Sequence, residues 1–190
     1  MDEADDVSTA LADRYGATLL HAAAYDGDGE EVMRLLNAGA EVDSEDVLCK
    51  TPLAWAAEAG HETIVRELLR RGASPERDRP EYDETPGPLQ EAAAGGHVGV
   101  VKVLIDAGAE IDEESEYISS ALELAARNGH VNVVEILLDR GARTDPVDPP
   151  RKDVVHEATA NGHVDVVALL IERGVARPTH EGLLEMALDS

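Results

Sequence analysis

Seven histidines stand beside 40 aspartates and glutamates in this 190-residue chain. These are the side chains that hold metals and move protons at neutral pH. Four of them, His61, His97, His130 and His163, each follow a glycine and recur at intervals of 36, 33 and 33 residues. Spacing that regular puts each at the same point of a repeated unit. Packed helices lie about 10 Å apart, whereas zinc ligands must lie about 2.0–2.1 Å from one ion. Laddered histidines therefore cannot share a metal, and their expected job is hydrogen bonding at a turn between helices. His21 and His156 fall at another repeated position and are expected to be structural as well. No Gly-x-Ser-x-Gly elbow, phosphate-binding glycine loop or His-Glu-x-x-His pair occurs. Cys49 is the single cysteine, so it forms no intrachain disulfide and no cysteine-based zinc site. The expectation is no catalytic residue, no metal and no cofactor. An enzyme would be motivated only by the abundance of histidine and carboxylate.

The elements that carry these histidines are short helices. Ala121–Arg143 reads as two of them joined by a turn at Asn128-Gly129. The first carries Leu122, Leu124, Ala125 and Ala126; the second carries Val131, Val133, Val134, Ile136, Leu137 and Leu138 and stops at Gly141. Helices this short are marginal in water unless they pack on neighbours. The sequence supplies those neighbours. Turn glycines recur at Gly27, Gly60, Gly96, Gly129 and Gly162, and stop glycines at Gly39, Gly72, Gly108, Gly141 and Gly174. An aliphatic column, Leu20, Leu53, Leu89, Leu122 and Val155, keeps the same register. Helix pairs are predicted near 19–26 and 30–37, 53–59 and 62–70, 88–95 and 98–106, 121–128 and 131–139, and 154–161 and 164–172.

A period of about 33 residues built from a turn and two helices is a repeat signature. Through Thr51-Pro52-Leu53, the four Gly-His turns and the Gly-Ala after most second helices, the chain resembles the ankyrin repeat family. The likeness runs from about residue 15 to 176. It implies an all-α solenoid of five helix–turn–helix repeats with terminal capping helices. Residues 1–14 would form the N-terminal cap, and 177–190 a C-terminal capping helix or a truncated sixth repeat, within a single domain. The family's usual histidine after the column leucine is replaced by Ala54, Gln90 and Glu123. Its connector glycine survives as Gly16 but is Cys49, Thr85, Ile118 and Arg151 elsewhere, so those connectors need not keep the standard hairpin turn. One insertion, Ser74 to Pro88, accounts for the 36-residue interval and carries four of the nine prolines, which marks an irregular exposed loop.

The resemblance also implies a non-enzymatic module that binds a protein partner on a concave face of inner helices and connector tips. Carried over copy by copy, the candidate residues are Tyr15, Tyr25, Asp26, Leu48, Lys50, Trp55, Glu58, Tyr117, Arg127, Asn128 and Lys152. Tyr82, on the insertion, joins them. These include all five aromatic residues of the chain, and tyrosine, tryptophan and arginine are the types that most often anchor interfaces. Trp55 has two open readings, an interface contact or a filler between adjacent inner helices.

Net charge is −24, from 40 acidic and 16 basic residues. That opposes nucleic-acid binding, which depends on lysines and arginines that neutralise phosphate. Two explanations stay open: salt adaptation, in which screening relieves self-repulsion, or an acidic surface for a basic partner. The second gives the alternative function, an acidic inhibitor or nucleic-acid mimic that occludes a basic site. No apolar run approaches the ~20 residues of a membrane helix, and the first residues are acidic where a secretory signal is basic. A cytoplasmic monomer is expected.

Overall fold

A computed structural model describes residues 16–76, 85–112, 119–144 and 154–175. The expected caps at both ends fall outside the described residues, as do Tyr15, Tyr82, Tyr117, Lys152 and the insertion residues Arg77 and Arg79. Among the described residues every regular element is an α-helix. The helices come in pairs: α1 (Leu19–Asp26) and α2 (Gly29–Asn37), α3 (Pro52–Ala59) and α4 (Glu62–Arg70), α5 (Pro88–Ala94) and α6 (Val98–Asp106), α7 (Ala121–Arg127) and α8 (Val131–Asp139), α9 (Val154–Ala160) and α10 (Val164–Glu172). Each pair lies within a residue or two of its predicted bounds.

Start and stop signals explain these bounds. Thr51 caps α3, its hydroxyl accepting from the Ala54 amide at 3.3 Å, with Pro52 in the first turn where no amide is needed. Ser120 and Glu123 form a reciprocal capping box on α7: the Ser120 hydroxyl takes the Glu123 amide at 3.2 Å, and the Glu123 carboxylate takes the Ser120 amide at 3.0 Å. His21 does what Glu123 does, accepting the Thr18 amide on Nδ1 at 3.1 Å. Gln90 accepts from the Gly87 amide at 2.5 Å. The replacements at this position thus keep an acceptor for the amide at the helix start, except at Ala54. In the first repeat Asp28 stands where histidine is usual, and its carboxylate caps α2 through the Glu31 amide at 2.9 Å. The second helices end in a left-handed glycine; at Gly39 the Ala40 amide returns to the Leu35 carbonyl at 3.0 Å.

The described residues group into two compact units, 16–76 with 85–92 and 99–110, and 93–98 with 111–112, 119–144 and 154–175. In the first unit α1 packs on α3 and α2 on α4; in the second α7 packs on α9 and α8 on α10. First helices therefore stack on first helices and second on second, as in an ankyrin repeat array. Each column aliphatic, Leu20, Leu53, Leu89, Leu122 and Val155, is buried. Alanines around them (Ala22, Ala23, Ala24, Ala54, Ala56, Ala57) are small enough for neighbouring first helices to pack closely. Val32, Val65, Leu68, Val134, Leu137, Val167 and Leu170 form the buried side of the second helices. Burial of each such side chain contributes roughly 1.5–3 kcal/mol.

Candidate functional site

Three of the repeated histidines, His61, His130 and His163, each join their repeat to the one before. Nε2 of His61 donates to the Tyr25 carbonyl at 2.9 Å, His130 to the Ala94 carbonyl at 2.8 Å, and His163 to the Arg127 carbonyl at 2.8 Å. Each contact closes over the earlier repeat's turn glycine: a Cβ on Gly129 (φ +77°) would lie 2.5 Å from His163 Nδ1. Histidine ring and glycine are one device, which ties each of these repeats to the one before. No group of three or more metal-ligating side chains converges among the described residues.

A second ladder went unread in the sequence. Asp43, Glu76 and Asp112 occupy one register position, and each carboxylate accepts a backbone amide of the following repeat. The donors are Ser74 at 3.1 Å, Glu110 at 2.6 Å and Arg143 at 2.8 Å. Part of the chain's acidity therefore holds neighbouring repeats together. The intervals of 33 and 36 residues were the available signal, hidden among 40 carboxylates.

The connector between the first two repeats is the best organised feature of the candidate surface. Asp46 is only 6% exposed and accepts from the Leu48 amide at 2.8 Å, the Lys50 amide at 2.9 Å and Trp55 Nε1 at 3.0 Å. The Cys49 amide returns to the Asp46 carbonyl at 2.9 Å and the Asp46 amide to the Lys50 carbonyl at 3.0 Å. These two bonds make a hairpin turn with Cys49 in the left-handed region at φ +54°. The turn expected to be at risk is thus kept despite the missing glycine, because the Asp46 carboxylate fixes the amides on either side of Cys49. Val47 and Leu48 at its tip are 67% and 44% exposed.

Behind the tip lies a buried cluster. Trp55 is 5% exposed and meets the rings of His21 and Tyr25 edge-on, with centroids 5.5 and 5.8 Å away. Of its two readings, burial matches the filler between α1 and α3. His21 is fully buried between the Thr18 amide on Nδ1 and the Lys50 carbonyl, 3.0 Å from Nε2. Burial holds its pKa below the ordinary value, against the Lys50 carbonyl bond and the nearby Asp46 charge, which favour protonation. The acceptor role of Nδ1 requires the neutral ring with its proton on Nε2. Lys50 lies between Glu58 at 2.7 Å and Glu91 at 2.6 Å. Burial alone would lower the Lys50 pKa, but the bonds to Glu58 and Glu91 outweigh it and hold the ammonium charged. Burial pushes the Glu91 carboxyl above its ordinary range, opposed by Lys50.

Of the sequence candidates in the first unit, Tyr25 is half-buried, while Asp26, Leu48 and Glu58 are exposed. Lys50 is engaged in the paired carboxylates and Trp55 in the core. In the second unit Arg127 pairs with Glu157 at 2.8 Å and reaches the Ser119 hydroxyl at 3.1 Å, and Asn128 donates to the Ala94 carbonyl at 2.9 Å. Val47 and the 62% exposed Leu19 belong with this surface although the sequence reading omitted them. Aliphatic residues in such a pattern look like core until tertiary structure leaves them outside.

Comparison with known proteins gives a consistent result. Residues 3–79 and 78–148 match the family model described as ankyrin repeats (3 copies). The chain is 34% identical over 110 residues, 58% of its length, to neurogenic locus notch homolog protein 1 of Xenopus laevis. It is 39% identical over 98 residues, 49% of its length, to the ankyrin repeat and KH domain-containing protein mask of Drosophila melanogaster. To the ADP-ribosylation factor GTPase-activating protein AGD2 of Arabidopsis thaliana it is 32% identical over 99 residues, 52% of its length. The matches span 4%, 2% and 11% of those proteins respectively.

Proposed function

We infer a binding role from a plain premise: the chain belongs to the ankyrin repeat family, whose repeats are generally non-enzymatic protein–protein interaction modules. In this protein the partner docks on the connector tips and first-helix ends of the concave face, with Leu48, Tyr25, Asp26 and Glu58 in contact. The observation that carries the reading is the tip itself. Val47 and Leu48 are exposed apolar side chains on a turn that the buried Asp46 holds in one conformation. Ordering costs weaken binding, and a turn already fixed has little left to lose. Trp55 supports the surface from beneath.

Affinity capture with the whole chain tests this. Leu48→Asp and Tyr25→Ala should each reduce recovery of the captured protein several-fold, while Arg66→Glu and Arg70→Glu on α4 should leave it unchanged. Capture that survives the first pair and fails with the second would move the interface to the second helices. The net charge of −24 favours a second reading, the acidic occluder. Such a protein would bind through charge alone, so its capture would vanish at high salt and ignore the Leu48 substitution.

A further inference from the structure

We propose that Leu19, Val47 and Leu48 form a docking patch for a basic protein segment, one in which an aliphatic or aromatic side chain is flanked by arginines or lysines. This rests on the protein-binding reading above and adds the partner's chemistry.

Three of the four large hydrophobic residues left exposed among the described residues are these three. They share one part of the surface. The Thr18 hydroxyl lies 3.5 Å from that of Ser44, and a Cβ on Gly16 would come within 3.0 Å of Val47 Cγ1. The segment leading into Leu19 therefore runs beside the segment leading into Val47. Two exposed aliphatics on a pinned turn, with a third at the start of the helix beside it, are a ready anchor site.

The surroundings select the occupant. Residues 41–50 carry four carboxylates, Glu41, Asp43, Glu45 and Asp46, against one cation, Lys50. That cation is neutralised by Glu58 and Glu91. Glu41 and Glu45 are exposed, and the field of the whole chain is strongly negative. An acidic segment approaching Leu48 would be repelled, a neutral one would gain only the apolar contact, and a basic one would gain both.

The test is selection of a random peptide phage library on the immobilised full chain, followed by fluorescence anisotropy with the enriched peptide. Enriched sequences should place arginine or lysine beside a large apolar residue. Their affinity should fall between about 0.1 M and about 1 M KCl, as the Debye length shrinks from ~10 to ~3 Å. Val47→Ser and Leu48→Ser should each weaken binding at least ~10-fold, as loss of an interface anchor does. Glu45→Lys should weaken it and flatten the salt dependence, and Arg66→Ala should leave it within ~2-fold. Circular dichroism on each variant separates lost binding from lost fold. Enrichment of neutral or acidic peptides that still need Leu48 would overturn the partner chemistry and leave the protein-binding reading standing. Basic peptides indifferent to Val47 and Leu48, or no enrichment, would overturn the patch.

Discussion

Replacing Asp46 by alanine should unfasten the connector, and the cost follows from three bonds. Two of them, from the Leu48 and Lys50 amides at 2.8 and 2.9 Å, sit at a partly exposed tip where water can substitute. Each should cost roughly 0.5 kcal/mol. The third, from Trp55 Nε1 at 3.0 Å, lies in a cluster where the indole is 5% exposed. A buried donor left without an acceptor costs about 1–3 kcal/mol. Asp46→Ala should therefore lose about 2–4 kcal/mol of unfolding free energy, with most of it passing through Trp55. A double-mutant cycle isolates that share. In a Trp55→Phe background no indole N–H remains, and Asp46→Ala should then cost only about 1 kcal/mol, a coupling of about 1–3 kcal/mol. Urea unfolding followed by far-UV circular dichroism measures all four proteins, and in the two that keep Trp55 the single tryptophan adds a fluorescence signal at the site itself. A coupling below about 0.5 kcal/mol would refute the claim that Asp46 and Trp55 act as one unit.

Other consequences are as specific. Gly129→Ala should destabilise more than Gly141→Ala in thermal melts: both glycines have positive φ, but only the first Cβ would meet a neighbouring histidine. The expected gap is about 1 kcal/mol or more. Cys49→Gly should raise stability by up to about 1 kcal/mol, because the left-handed backbone at φ +54° penalises an L-side chain; a loss on the same melt would contradict the turn. For His21 the folded pKa lies below the ordinary 6.5, so the unfolded chain binds the proton first. Stability from this residue is present in full above that value and declines as pH falls through it towards the folded pKa. His21→Gln, which keeps an acceptor for the Thr18 amide, should lose less stability on acidification, as read by urea titrations across that range. If the acidic surface reflects salt adaptation, the melting temperature should climb steeply from low to molar KCl; a flat profile would favour the basic-partner explanation.

Much of the architecture was legible because repeats make one mistake in register visible five times. The glycine columns and buried aliphatics fixed the helix pairs, and the regular recurrence of the Gly-His turns foretold that His61, His130 and His163 would bond across a turn. The site was harder to read. Asp46 belongs to no column, so nothing in the sequence tied its carboxylate to Trp55 nine residues on or to the turn that lets Cys49 stand where glycine is usual. Lys50 was a candidate contact, yet two carboxylates enclose it, one of them from the third repeat. Leu19 and Val47 carry the opposite lesson: apolar type suggests burial, and only the stacking of neighbours decides which side chains remain outside.

Photo-cross-linking tests the binding claim most directly. p-Benzoylphenylalanine placed at position 48, at the connector tip, or at position 66, on α4, would be irradiated with the captured partner bound. The expected result is a covalent adduct from position 48 and none from position 66. An adduct from position 66 alone would put the partner on the second helices and contradict a docking face at the connector tips.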